Sequence, residues 1–352
     1  SSTVNFDGTI ATNGANYSGG GVYATNSTLN LTNATVGLAG SARGNWLRTT
    51  GNTGAGLYLT SGTTAMLSNT VVVSNTFQTT GYTYGGGMYA SDNTRVVLRN
   101  SRIEQHNAPS ALDGRGAGLY LSNSAATLDN SQILSNTAGT VGGGVRMWIT
   151  STLNVLNGSV IANNRSLNGE GGAIAAGGTP TINISDATVR NNTAATHGGA
   201  IYIGAGTLNF TGGWTLRENT ATGGNGGAIA ATGTARVNFR AGGYSLVYFN
   251  RALGGHGGML YLGNNTTSQL YATNGYNMYI YANHASGNGG ALYANSGGYF
   301  DIYGQVRFDR NRADNGGAIY LGNGSRVWLD DYVTIKPQLW DNWADYGSGG
   351  AI

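Results

Sequence analysis

The side chains best suited to catalysis gather in the last part of the chain. Seven of the 15 carboxylates lie beyond residue 300, at Asp301, Asp309, Asp314, Asp330, Asp331, Asp341 and Asp345. Asp330-Asp331, Gly255-His256-Gly257 and Ile335-Lys336 together hold the carboxylate, imidazole and cationic groups that polysaccharide cleavage uses, provided that folding brings them onto adjacent segments. Arg307, Arg310, Arg312 and Arg326 are interspersed among these carboxylates, so a solvated, ion-paired surface is the expectation there. Convergent oxygens of this kind can also hold Ca²⁺, but the Gly-Gly-x-Gly-x-Asp calcium repeat is missing. The chain has no phosphate loop, no Cys or His metal spacing and no nucleophile elbow. Asn-x-Ser/Thr triplets such as Asn26-Ser27-Thr28, Asn209-Phe210-Thr211 and Asn323-Gly324-Ser325 are what chance gives in a chain so rich in Asn and Thr. The expectation is a protein that is not an enzyme and carries no cofactor and no metal.

The composition says what kind of scaffold must carry these residues. Gly is 61 of 352, charged residues are 9%, Pro is 3 and Cys is 0. Such polarity with so little charge resembles disorder, yet 40% of residues are apolar and they recur in short runs that a disordered chain has no reason to keep. The net charge of +3 is dispersed, with one lysine (Lys336) and no basic run, so neither a nucleic-acid face nor an anionic-membrane face is expected. No apolar stretch is long enough to span a bilayer as a helix. The chain starts at Ser1, which fits a processed secreted product or an excised segment.

Internal repetition organises the rest. A Gly-Gly-apolar motif returns twelve times, from Gly20-Gly21-Val22 to Gly349-Gly350-Ala351-Ile352, at steps of 26 to 35 residues. Between two copies lie short β-type runs, as in Ala200-Ile201-Tyr202-Ile203, Thr207–Thr211 and Trp214–Asn219, separated by Gly, Thr and Asn. The identical order in every unit predicts an all-β, right-handed parallel β-helix, one solenoid domain over residues 1–352 with about twelve coils of three short strands. Each last strand carries an apolar residue with Asn three positions later. This predicts a stacked structural Asn ladder of Asn13, Asn75, Asn136, Asn163, Asn192, Asn219, Asn250, Asn283, Asn311 and Asn342.

Phe308-Asp309-Arg310-Asn311 followed by Gly316-Gly317-Ala318-Ile319 reproduces, in order, the paired Phe-x-x-Asn and Gly-Gly-Ala-Ile motifs. With these motifs the chain resembles the chlamydial polymorphic outer-membrane proteins and related β-helical autotransporter passengers. The resemblance covers essentially all 352 residues, although Val, Ile or Leu usually replaces the Phe. It implies a surface-exposed adhesin made as a passenger domain, while the membrane β-barrel module of that pattern is missing here. Pectin-cleaving enzymes share the β-helix, but their order of motifs is the reverse of this one, in which Gly-His-Gly precedes the Asp pair.

Strand alternation assigns faces. In the strand after Gly-Gly, pairs such as Val22/Ala24 and Ile201/Ile203 are apolar in every complete copy and point inward. The residue between them then points outward. It is Tyr23, Tyr58, Tyr89, Tyr120, Tyr202, Tyr261, Tyr293 or Tyr320, with Arg146, Ala175 and Ala230 in the other three copies. This outward aromatic column either shields its own sheet by stacking or offers a stripe to glycans, a second filament or a host or neighbouring cell surface. Val4 and Phe6 read as the middle of a unit, and Ala351 and Ile352 as the start of one. Head-to-tail self-stacking into a filament at the cell surface, outside the cell, is therefore the expected role. A segment of a longer adhesin passenger is the alternative, and a polysaccharide-degrading β-helix enzyme a remote one.

Overall fold

The structure, a computed structural model, describes residues 2–40, 44–49, 51–78, 81–108, 113–272, 275–330 and 336–352, with backbone alone at Asn52 and Asp330. Asp331 and Ile335, which belong to the polysaccharide-cleavage reading, lie outside the described residues. The chain forms two compact units, Ser1–Pro180 and Thr181–Ile352. Both are all-parallel β-solenoids, about eleven coils between them, which is the fold class that the repeat predicts.

A coil is built from the local chemistry of its corners. In the second unit one coil runs through Ile201–Ile203, Thr207–Gly212, Thr215–Arg217 and Thr220–Ala221. Each strand pairs in register with its equivalent one coil on, so that Ile201 faces Ile229, Leu208 faces Val237, Leu216 faces Val247 and Ala221 faces Ala252. We call the four stacks the tyrosine, middle, turn and short ladders. The first three match the strands read from the sequence. The short ladder is a fourth, two residues per coil, too brief to show any alternation in sequence. The first unit adds a small parallel sheet of Asn52–Thr53, Thr83–Tyr84 and Gly114–Arg115, made by its longer loops.

Inward positions form a continuous apolar column. Leu57, Leu59, Met88, Ala90, Ile201, Ile203, Ile229 and Ala231 are fully buried. Burial of one Leu or Ile contributes roughly 2 kcal/mol, and each packs against the apolar residue in register above and below it, as Leu57 does on Met88. Trp214 is wedged between Phe210 and Phe239, at ring distances of 4.8 and 5.4 Å.

The paired glycines have two separate reasons. Gly198 adopts φ +63°, a left-handed conformation that other residues enter only under strain. Gly199 has no such φ, but a Cβ there would lie 2.1 Å from the Gly227 carbonyl oxygen of the next coil. A methyl group at 199 must therefore push two coils apart, and Gly199→Ala is expected to cost about 3 kcal/mol. Gly242→Ala, whose nearest neighbour would be at 3.7 Å, is expected to stay within about 0.5 kcal/mol. Denaturant melts of the two variants check the pair, and equal losses would overturn the close-approach account.

Candidate functional site: side-chain ladders and outward columns

In most coils the turn ladder ends on a left-handed residue, for example Ser74, Ser135, Glu218, Ala282 and Arg310. The next side chain swings inward, and in nearly every coil it is Asn. Asn75, Asn136, Asn192, Asn219, Asn250, Asn283 and Asn311 are fully buried, whereas Asn13 and Asn342, in the outermost coils, are not. Where Asn follows Asn, the Oδ1 accepts two bonds from the preceding coil, one from the backbone N–H of its Asn and one from that Asn's Nδ2. Asn219 N–H and Nδ2 reach Asn250 Oδ1 at 3.1 and 3.0 Å, and Asn250 repeats this to Asn283 at 3.1 and 2.9 Å. The second Nδ2 hydrogen goes backward, as from Asn250 to the Leu216 carbonyl at 3.0 Å.

Three positions differ from the ladder read in the sequence. Asn163 is exposed at φ +57°, and its neighbour Asn164 takes the buried place, accepting Asn136 Nδ2 at 2.9 Å. The inward residue of that strand is Ile161 rather than Val160, so the three-residue count ends one position later. Asn45 also belongs to the ladder, accepting from Asn13 and donating to Asn75 at 2.9 Å, after a loop that hides the spacing. At His106 the spacing holds and the residue type changes. Its Nδ1 accepts the Asn75 N–H at 3.1 Å and its Nε2 donates to the Val72 carbonyl at 3.0 Å, which fixes a neutral ring protonated on Nε2. Burial pushes this imidazole from 6.5 down to about 4.

A second ladder, of mixed type, precedes the glycines in the second unit. Asn225 N–H donates to His197 Nδ1 at 3.0 Å, His256 N–H to Asn225 Oδ1 at 2.9 Å, and Asn288 N–H to His256 Nδ1 at 2.9 Å. It runs through Asn315, whose Nδ2 donates to Asn288 Oδ1 at 2.8 Å. Here the backbone of the later coil bonds the side chain of the earlier one, the reverse of the inner ladder. Desolvation lowers the pKa of both His197 and His256. Serine hydroxyls do similar work in the first unit, where the N–H of Ser101 bonds Ser131 Oγ at 3.1 Å and the N–H of Ser131 bonds Ser159 Oγ at 2.9 Å.

The outward tyrosines stack, at 5.0 to 5.2 Å for Tyr23, Tyr58, Tyr89 and Tyr120, and at 5.3 Å for Tyr261, Tyr293 and Tyr320. Tyr202 faces Ala230 in the next coil and has no ring to stack on there. The column is not open along its length. Tyr23 is 58% exposed, but Tyr120 is only 6% exposed because the small extra sheet lays Tyr84 over it at 5.1 Å. Tyr84 donates to Asp113, which also holds Arg115, and the buried Arg146 takes the next position of the column. Burial raises the Tyr89 hydroxyl to about 12. In the second unit His256 stacks on Tyr293 at 4.5 Å.

Among the described residues, His256 and Asp330 of the polysaccharide-cleavage reading are not gathered. His256 is a ladder member beside Tyr293, whereas Asp330 ends the last middle strand, paired with Tyr303. The carboxylates around residue 310 are engaged in ion pairs, Asp309 with Arg307 at 3.0 Å and Arg310 at 3.5 Å, and Asp345 with Arg312 at 2.6 Å. Among the described residues there is no group of three or more His, Cys, Asp or Glu placed to hold a metal ion, and no helix long and apolar enough to cross a membrane.

With this geometry in place, comparison with known families is informative at one corner. Residues 186–204 match the Chlamydia polymorphic membrane protein repeat. The matched stretch spans the turn strand Thr188–Arg190, ladder residues Asn192 and His197, the Gly198-Gly199 pair and the tyrosine-ladder strand Ile201–Ile203. The solenoid thus resembles autotransporter-type repeat proteins. Comparison with characterised proteins and with solved structures gave no match.

Two predictions test the ladder. Asn164→Ala strands the Asn136 amide and is expected to cost about 3 kcal/mol, whereas Asn163→Gly, which keeps the left-handed φ, is expected to change stability by less than about 0.5 kcal/mol. Chemical denaturation of both variants decides, and a larger loss at 163 would return the ladder to that position. For His106, the unfolded ring takes up its proton below 6.5 and the folded ring only near 4. Its stabilising contribution is therefore complete above pH 6.5, is lost as pH falls toward 4, and is flat below that, a span of roughly 3 kcal/mol. His106→Asn should remove this increment, measured as the difference between wild-type and variant unfolding free energies across that window. A pH-independent difference would rule it out.

Proposed function

We propose that the chain is a non-enzymatic structural and adhesive β-solenoid of the cell exterior, whose outermost coils are continued by coils of other copies, head to tail. The observation that carries this is the state of the two edges. Strands Thr3–Phe6 and Arg326–Asp330 each stand last in their ladder, with one row of backbone groups unpaired. The core beside them is open. Val4 is 50% exposed, and a recess of about 240 Å³ at Val4, Phe6, Ile10, Val22 and Leu29 reaches the first coil. At the other edge Leu329, whose inward partner Ile302 is fully buried, is 41% exposed, and Ile352 is 49% exposed. A parallel ladder ending this way has the same hydrogen-bonding pattern and the same apolar side chains to offer to one more coil. A contact between unlike ends does not close and so yields a polymer.

The surface setting is supported by the polymorphic membrane protein repeat match, and the structural role by amide ladders and stacked rings that serve cohesion between coils. The second reading, a passenger segment whose own flanking coils cover both edges, rests on the same two edges. Electron microscopy and concentration-dependent light scattering of the purified chain separate the readings. Rods that lengthen with concentration, and that Val4→Asp or Leu329→Asp shortens to single copies, are expected. Monodisperse particles at every concentration would leave the passenger reading standing. Release of unsaturated or reducing sugars from polygalacturonate by the same preparation would overturn the non-enzymatic part.

A further inference from the structure

The outward face of the turn ladder in the second unit carries a feature that the repeat does not require. Its last four strands, Ser245–Tyr248, Met278–Tyr281, Val306–Asp309 and Gln338–Trp340, put Tyr248, Tyr281, Asp309 and Trp340 in one outward column, with Leu246, Tyr279, Arg307 and Gln338 beside it. The rings pack in two adjoining groups, with Trp340 beyond Asp309 at the end of the column. Tyr248 and Tyr281 lie face to face at 4.9 Å, Phe249 packs edge-on to both, and Tyr244 leans on Tyr279 at 5.5 Å. This platform is open at its rim, with Tyr244, Phe249 and Trp340 exposed by 63, 45 and 52%. The same outward positions in the first unit are Val71, Val73, Arg102, Glu104, Gln132 and Leu134, so no aromatic is needed there to form the sheet.

Phe249 sharpens the point. It occupies the left-handed position before the ladder Asn, at φ +55°, where other coils use Thr, Ser, Gln, Asn, Glu, Ala, Arg or Asp and none uses another aromatic. A bulky residue in that conformation is strained, and its ring faces solvent instead of repaying the strain in the core. Cations frame the platform. Arg217 lies over the Tyr248 ring at 5.8 Å and Arg307 over Trp340 at 4.6 Å, and Arg310 is 72% exposed at the edge. Arg190, Arg217, Arg307, Arg310 and Lys336 outnumber Glu218, Asp309 and Asp341 on this face. Tyr279, Arg307, Lys336 and Gln338 also line a recess of about 110 Å³.

We propose that this platform binds an anionic glycan, whose pyranose rings lay their C–H faces on Tyr248, Tyr281 and Trp340 while carboxylate or sulfate groups meet Arg307 and Arg310. Flat open rings suit the apolar faces of sugars, and Arg307, held over Trp340, and Arg310, exposed at the edge, each use only part of the guanidinium fork on Asp309 and keep further N–H donors for oxyanions. The inference rests on the adhesive reading but not on stacking of copies, and polymer formation is scored separately by microscopy.

Affinity electrophoresis and calorimetry with polygalacturonate, heparin and neutral dextran test it. Polygalacturonate or heparin, or both, should bind while dextran does not, the two polyanions telling carboxylate from sulfate. Tyr248→Ala/Tyr281→Ala and Arg310→Gln should each weaken binding at least tenfold, with unchanged circular dichroism and melting. Phe249→Asn, which relieves the left-handed strain, should weaken binding while raising stability, an outcome that loss of folding cannot mimic. No binding of either polyanion, equal binding of dextran, or equal loss with Arg95→Gln in the first unit would overturn the proposal.

Discussion

A primary amide buried in a β-solenoid has four hydrogen-bonding valences and almost no water to meet them. The inward Asn ladder meets them with copies of itself, since each Oδ1 receives two N–H groups from the coil before, and each Nδ2 gives one hydrogen forward and one back. An unpaired amide in this setting costs about 1–3 kcal/mol, so a coil displaced by a single residue loses its ladder bonds as well as its apolar register. The ladder therefore does for this chain what disulfides or a thick core do elsewhere. It pins each coil to the next at the corner where the turn strand bends, in a chain with no Cys.

From that corner the other constraints follow. The left-handed residue before the Asn turns the chain, and a few residues later the glycine pairs of the second unit bring backbone against backbone so closely that no Cβ fits at Gly199 or Gly227, whereas two coils of the first unit admit Ala55 and Ala117 at that position. Where corners are held this firmly, the loops between them are free to vary. The first unit uses that freedom for a three-stranded extra sheet that roofs Tyr120, and the period of the whole chain drifts between 26 and 35 residues without loss of register. An irregular period and a strict register are compatible because pairing is decided at the ladders and not by counting residues.

This explains what could be read from sequence and what could not. The glycine pairs, the strand after them and most ladder positions are marked by residues that admit few substitutes, so the fold was plain. Asn163 and Asn164 stand side by side, and only knowledge that Ile161 rather than Val160 points inward separates them. Asn45 is displaced by its loop, and His106 mimics an Asn only in three dimensions, with Nδ1 as acceptor and Nε2 as donor one ring-width apart. The ladder through His197, Asn225, His256 and Asn288 had a signal, a polar residue just before each glycine pair, but a mixture of two residue types obscures a ladder whose acceptors are chemically alike. The aromatic platform escaped for another reason. Its rings come from two columns and a left-handed turn position, so no single periodicity contains them.

The distribution of aromatic side chains then separates cohesion from presentation. Rings in the tyrosine column meet like rings one coil away, and neighbouring loops cover them, with Tyr84 on Tyr120 and His256 on Tyr293. Area hidden in this way is already spent on the solenoid itself. In the second unit Tyr248 and Tyr281 stack as well, yet Tyr244, Phe249 and Trp340 at or beside the turn ladder keep about half their surface in solvent, and Phe249 stands on a strained backbone. Stacking alone accounts for the first set and leaves the second unexplained, because Thr, Val or Gln hold the same sheet positions in other coils. A solenoid built by repetition reveals its working surface where it departs from repetition, and in this chain the departure is concentrated between Tyr244 and Trp340.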